Sequence, residues 1–392
     1  MEVANAEVQQ ERRLLWRRHN SLIKTRPPVY VRLIPWWEVP ELQQRECEDE
    51  FLRGYEGWFR KMLYHATIGD DYIFEPWVTV DAVRITPPLG VWGVETKHIP
   101  SPKPGGSWLF DPPLKRLEDR ARLVSPHHVI DEEATARNLS RLHEAIDDLI
   151  PVALDRAPAY RMWNGDISTQ LAELRGLEQV MWDMADNPQW LHELLAFMRD
   201  GILTTHEEAE AAGDWRLCAH ENQAMPYVEE LPDPQADGAP VTRDKLWTFV
   251  AAQEFTLVSP EMHHEFMLQY QLPIMDKFGL VAYGCCEDLT NKIGILRRIP
   301  NLRRIAVAPR ADVRRCAEQI GRDYVLSWRP NPAEMVCCGF DRDHIRKLVR
   351  EAMEASKGCH VDITLKDAET VEGEPERLRE WVQIVRPISD EY

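Results

Sequence analysis

With 392 residues, 44% of them hydrophobic, the chain can bury a large core, either as one decorated barrel or as two domains. Its formal charge of −18 argues against nucleic acid or an anionic membrane as the main partner, since both repel an acidic surface. Eight cysteines are too sparse for a disulfide scaffold and suit buried thiols, or a metal or redox site, in a reducing compartment. The first residues, Met1-Glu2-Val3-Ala4-Asn5-Ala6-Glu7, lack the charged-then-apolar plan of a secretion signal. No apolar run approaches the roughly 20 residues of a membrane helix. A cytoplasmic protein is expected.

Residues 6–24 are charge-rich with Leu14, Leu15, Leu22 and Ile23 apolar, and predict a helix lying on the main body. Residues 29–34 predict a first strand, 41–66 a long helix and 76–80 another short strand. From Pro87 to Pro113 the chain is rich in Pro, Gly and Trp with little periodicity, the composition of a functional cover. Leu139, Leu142, Ile146, Leu149 and Ile150 form a helical stripe, and 160–166 predicts a strand. Asn187-Pro188 caps a helix whose core face is Leu191, Leu194, Leu195, Met198 and Ile202. Residues 217–220 predict a short strand before a polar loop, 222–243. Further strands are predicted at 280–283, 301–307, 323–327 and 359–365, with helices between them on the stripes Val313, Cys316, Ala317, Ile320 and Ile345, Leu348, Val349, Ala352, Met353. No internal repeat or low-complexity segment interrupts this pattern. Alternation of this kind predicts a mostly parallel sheet, and seven or eight strands favour closure into a barrel.

The chemistry concentrates at Tyr283-Gly284-Cys285-Cys286-Glu287-Asp288, where a buried apolar strand ends in a glycine, two thiols and two carboxylates. In a β/α barrel the C-terminal strand edge is where catalytic residues gather. Successive strand residues face opposite ways, so only a turn at the strand's end lets both Cys285 and Cys286 line one site. Those thiols with Glu287 or His220, and Cys359 if it reaches the same rim, make a zinc site with an open position. Cys359 precedes its strand, however, which places it at the other rim. Cys47, Cys218 and Cys316 read as small buried hydrophobes, and Cys337-Cys338 as local packing. His220 follows a predicted strand and suits proton transfer. Gln253-Glu254 lies between apolar stretches, where an unpaired carboxylate is costly unless it has a function. Lys366-Asp367 follows the last strand as either a salt bridge or a catalytic carboxylate. Arg329 suits binding of a substrate carboxylate or phosphate, and Asn164 ends another predicted strand. Phosphate-binding glycine loops, nucleophile elbows and zinc-finger cysteine spacings are absent from the sequence.

Over residues 26–386 the chain resembles the uroporphyrinogen decarboxylase superfamily. The resemblance rests on Arg26-Pro27-Pro28-Val29-Tyr30-Val31-Arg32, Leu174-Arg175-Gly176-Leu177-Glu178, Asp186-Asn187-Pro188, Val258-Ser259-Pro260-Glu261 and Tyr283-Gly284-Cys285-Cys286-Glu287. It implies an α/β fold with a single (β/α)8 TIM barrel over 26–392, an N-terminal helical extension over 1–25 and the long loop excursion already noted. The superfamily holds decarboxylases and methyltransferases. The decarboxylases' Arg-Gln-Ala-Gly-Arg-Tyr stretch becomes Arg32-Leu33-Ile34-Pro35-Trp36-Trp37 here, matching only Arg32. The zinc methyltransferases' His-x-Cys becomes Tyr283-x-Cys285, with Cys286 and Glu287 as replacement ligands and Cys359 as the distant cysteine.

The reading drawn from this is a zinc-dependent methyltransferase that moves a methyl group between a corrinoid carrier, on a corrinoid-binding partner protein, and a thiol. Cys285, Cys286, Glu287 and Cys359 would hold zinc, while Glu254, His220, Glu287 and Asp367 act in catalysis and Arg32, Asn164, Gln253 and Arg329 bind substrate. Two alternatives stand beside it. One is metal-free decarboxylation of a porphyrinogen or related polycarboxylate, using Arg32 and Arg329 as clamps with Asp81 or Asp367. The other is a barrel that binds a tetrapyrrole or corrinoid without turning it over.

Overall fold

The computed structural model describes residues 1–32, 34–102, 109–146, 148–236 and 238–392. Strands follow in chain order as β1 (Val29–Val31), β2 (Val78–Asp81), β3 (Lys97–Ile99), β4 (Leu109–Asp111), β5 (Val152–Asp155), β6 (Trp247–Val250), β7 (Leu280–Tyr283), β8 (Leu302–Val307), β9 (Val325–Trp328) and β10 (His360–Leu365). Six of them form one parallel sheet in the order β1-β10-β9-β8-β7-β6. The last strand thus pairs with the first, as in the wrap of a barrel. β2 and β5 form a separate parallel ladder. Among the described residues no strand ladder joins β1 to β2 or β5 to β6, so the eight-stranded closure expected from the sequence is formed only in part.

The strands exist where the sequence is apolar on both faces. Trp247–Val250 and Leu280–Tyr283 are buried throughout, as strands covered by helices on one side and a filled interior on the other must be. The helices carry the expected stripes: Val313–Ile320 buries Cys316, Ala317 and Ile320, and Arg342–Ala355 buries Ile345, Val349, Ala352 and Met353. Two predicted strands are corrected. Residues 160–166 form a bend with a 3-10 turn at Met162–Asn164, because Met162 and Ile167 adopt φ of +48° and +67°, outside the strand region. The strand of that region is β5, earlier in the chain. Leu217–Ala219 is likewise a 3-10 turn, tied to β6 through Glu221 N–H to Trp247 O at 3.3 Å. The helix expected at 41–66 begins only at Glu50, where the Asp49 carboxylate accepts the Leu52 N–H. In the 87–113 excursion β3 and β4 pair as an antiparallel hairpin; 103–108, and residue 33 of the expected first strand, lie outside the described residues.

A polar network fills part of the sheet's interior. Asp362 on β10, fully buried, accepts from Arg304 of β8 at 2.8 Å, from Ser327 of β9 at 2.8 Å and from Thr364 at 2.9 Å. The N-terminal helix Glu7–Asn20 ends inside this network. His19 lies 3.3 Å from Asp362, and Asn20 Oδ1 accepts from Arg304 at 2.7 Å. Burial opposes charge on Asp362, yet Arg304 and His19 hold its carboxyl far below the usual range, while burial pushes His19 down toward the neutral form. The helix therefore belongs to the core of the fold. Removing one partner of such a pair strands a buried charge at a cost of about 3–5 kcal/mol. Arg304→Met is accordingly expected to shift the urea unfolding midpoint strongly downward, and Arg304→Met/Asp362→Leu to regain part of the loss. Wild-type stability in Arg304→Met would contradict the network.

Candidate active site

β7 ends at Gly284, whose φ of +95° redirects the chain. A Cβ there would meet Leu289 Cδ1 at 2.6 Å and Ala306 Cβ at 3.2 Å, so both conformation and space demand glycine. After this turn the strand alternation no longer applies. Cys285 Sγ and Cys286 Sγ lie 3.5 Å apart, the first buried and the second exposed. Glu287 locks the turn from beneath: its two carboxylate oxygens accept the backbone N–H groups of Ala252 at 2.9 Å and Cys285 at 2.7 Å.

The third partner of the sulfurs comes from the end of β10. Lys366, only 5% exposed, places Nζ 3.1 Å from Cys285 Sγ and 3.6 Å from Cys286 Sγ. Asp367 accepts from this ammonium at 2.9 Å and lies 3.8 Å from Cys286 Sγ. Arg329, beyond β9, donates to the Cys285 carbonyl at 2.6 Å. The consequence is one negative charge on two sulfurs. The Cys285 thiol is pulled down to about 5, chiefly by the hydrogen bond from Cys286, against burial, with Arg329 and Lys366 adding to the effect. Cys286, facing that thiolate, is pushed up and keeps its proton.

Behind the thiol pair lies a second acidic group. Ser168 donates to Glu254, and Thr169 donates through its N–H and hydroxyl to Asp166 at 3.0 and 2.9 Å. Burial raises Asp166 well above the usual range, with the charges of Glu254 and Glu287 adding. Burial likewise raises Glu254 and Glu287. In all three, burial is the first cause and disfavours the charged form. Tyr283, at the end of β7, donates to Gln271 at 3.0 Å and lies 2.9 Å from His263 Nε2, which fixes the strand's end.

The structure gathers most of the predicted site residues but not all of them. Cys285, Cys286, Glu287, Asp367 and Arg329 meet. Arg32 joins through a 3.4 Å bond to the Gln223 carbonyl, and Gln253 shares the turn Gln253–Phe255 with Glu254. Cys359 does not meet them. It precedes β10 while Lys366 follows it, and at about 3.3 Å per residue the six-residue strand separates the two by roughly 20 Å. Its thiol instead lies 3.6 Å from the Ala317 carbonyl. His220 lies elsewhere: Nδ1 accepts the Trp247 N–H at 3.2 Å, Nε2 is buried without a partner, and the ring lines an aromatic cavity of about 710 Å³ with Trp58, Phe59 and Cys218. Asn164 holds its own turn, donating to the Ala159 carbonyl at 3.2 Å. Sequence reasoning missed Lys366 as a partner of the thiols, together with Gln223 and Ser168. Gln223 and Asp367 do carry a structural signal of function, φ of +60° and +57° in residues other than glycine.

Zinc needs three or more protein donors around one point. Here both Glu287 oxygens are taken by backbone N–H groups, Cys359 is at the far rim, and an ammonium lies against both sulfurs. Among the described residues no three His, Cys, Asp or Glu side chains converge on one point. The donor set does not fit zinc; Lys366 supplies the positive charge instead.

No family model matches the sequence, and no curated protein does. Among solved structures the chain is similar to a methyltransferase from Methanosarcina mazei, at 13% identity and a TM-score of 0.54, over 96% of this chain and 98% of that one. The fold is one that a methyltransferase uses. No described helix is long and apolar enough to cross a membrane.

Lys366→Met is expected to move the pH midpoint of iodoacetamide alkylation of Cys285 upward by roughly one unit, and Lys366→Arg to restore most of the shift. Chelator treatment should leave the wild-type rate unchanged. Stoichiometric zinc that disappears in Cys286→Ala would contradict this account of the site.

Proposed function

We propose that this protein is a methyltransferase whose methyl-accepting sulfur belongs to the Cys285–Cys286 pair. The observation that carries the reading is the buried Lys366 ammonium, 3.1 Å from Cys285 Sγ, at the C-terminal edge of a parallel sheet. It is supported by the fold shared with a methyltransferase. A thiolate, and not a thiol, is the sulfur nucleophile, and a cation beside it keeps it ionised.

In the proposed step Cys285 Sγ attacks a methyl group presented at the mouth. A C–S bond forms, the bond from the methyl carbon to its donor breaks, and the electron pair leaves with the donor. The product is S-methylcysteine. Cys286 S–H and Lys366 hold the thiolate in place until attack, and Asp367 receives the ammonium's attention once the sulfur is neutral. Arg329 fixes the Cys285 backbone through its carbonyl. No step requires zinc. The resemblance implies a corrinoid carrier as methyl donor, so methylcobalamin is the first donor to test.

A second reading, decarboxylation of a polycarboxylate, is favoured by one observation: neither Arg32 nor Arg329 has a carboxylate partner among the described residues. Release of carbon dioxide from a porphyrinogen by the Cys285→Ser variant as fast as by wild type would support that reading against methyl transfer.

Anaerobic incubation with methylcobalamin is expected to add one methylene unit of mass to the peptide carrying Cys285. Cys285→Ser should abolish the gain. Cys286→Ala should slow it, because the hydrogen bond that most stabilises the thiolate is lost. An unmodified peptide from wild type, with both thiols intact and reduced, would overturn the proposal.

A further inference from the structure

Arg329 is 4% exposed, and its contacts leave one of its three nitrogens without a partner. One terminal nitrogen donates to the Cys285 carbonyl at 2.6 Å and the other to Gln223 Oε1 at 2.9 Å, while Nε is buried with no partner. Gln223 shows the complementary gap: its Oε1 is used and its Nε2 is buried and unpartnered. Two idle N–H donors thus stand on two side chains joined by a single hydrogen bond. A buried polar group left unpaired costs about 1–3 kcal/mol, more when charged. Gln223 is also held at φ +60°, a strained setting for a residue other than glycine.

The charges around the pair point to the missing partner. Lys366 has Asp367, and Glu287 is committed to backbone N–H groups. Arg329 faces no carboxylate among the described residues, and Arg32, which reaches the Gln223 carbonyl at 3.4 Å, faces none either. Arg329 already helps to hold the Cys285 thiolate, but its buried Nε–H has no acceptor and stays costly unless a ligand supplies one. We infer that Arg329 Nε and Gln223 Nε2 bind a carboxylate, so that a molecule held beside Cys285 carries an organic acid group. A guanidinium and an amide are planar donors, and a carboxylate offers two oxygens in one plane to match them. The Cys285 carbonyl, held by the same guanidinium, ties this anchor to the reactive sulfur.

The inference rests on the reading of Cys285 as the reactive sulfur, and its test separates the two. The probes are iodoacetate and iodoacetamide, close in size and differing in one carboxylate. In each, the thiolate displaces iodide: a C–S bond forms, the C–I bond breaks, and iodide leaves with the electron pair. A free thiolate prefers the neutral amide. Here iodoacetate should alkylate the pair about tenfold faster than iodoacetamide, with saturation at high reagent, matching a charge-assisted hydrogen bond. Acetate should protect and acetamide should not. Arg329→Gln and Gln223→Met should each remove the preference, while Arg329→Lys keeps part of it; Lys366 is present in all three, so its general attraction for anions cancels. A wild-type preference for iodoacetamide, or an iodoacetate preference unchanged in both Arg329→Gln and Gln223→Met, would overturn the carboxylate site alone. Failure of both reagents to alkylate either cysteine at neutral pH would instead overturn the reading of Cys285.

Discussion

Two sulfurs 3.5 Å apart share one charge, and the Cys286 S–H donated to Cys285, aided by an ammonium 3.1 Å from Cys285, decides which of them carries it. The contact between Lys366 and Cys285 joins the end of β10 to the end of β7. Those strands are separated in the sheet by β9 and β8, so the contact spans the sheet's concave mouth. Much of the surrounding structure serves it. Gly284 turns both cysteines to one side, Glu287 pins the turn, and Arg329 holds the Cys285 carbonyl. The strand ends converge only because the sheet is curled.

The curl itself depends on what fills the interior. Arg304, Ser327 and Asp362 lie on three adjacent strands, and His19 and Asn20 complete their hydrogen bonds from the N-terminal helix. A polar layer of this kind is stable only when each member is satisfied. The candidate-site and structural charges therefore occupy different levels of the same strands: Asp362 with Arg304 within β10 and β8, Lys366 with the thiols beyond the strand ends. This separation lets the mouth keep exposed and underpaired groups without loosening the base.

The parallel strands were legible in the sequence because each is a short apolar run bounded by polar residues, and the thiol-bearing strand end stood out on the same grounds. Helix stripes around Cys316 and Ile345 were legible through their spacing. Residues 160–166 and 217–220 misled because apolar content there serves turns, with backbone angles that composition does not reveal. Lys366 was read with its neighbour Asp367, a true pair; its contact with thiols some eighty positions earlier in the chain depends on strand order, which single-chain patterning does not supply. Cys359 and His220 show the reverse error. Residue type suited both to a metal site, but one lies at the wrong end of its strand and the other lines a separate aromatic cavity.

The central claim is that the thiol pair carries a single stable negative charge at neutral pH. Ultraviolet thiolate absorbance, titrated in wild type and in Cys285→Ser, measures it directly. A folded-state pKa of about 5 predicts one thiolate's absorbance at neutral pH, disappearing as pH falls through that value and missing from the variant. Absorbance that first appears in the alkaline range of an ordinary cysteine, with no difference between the two proteins, would contradict the account.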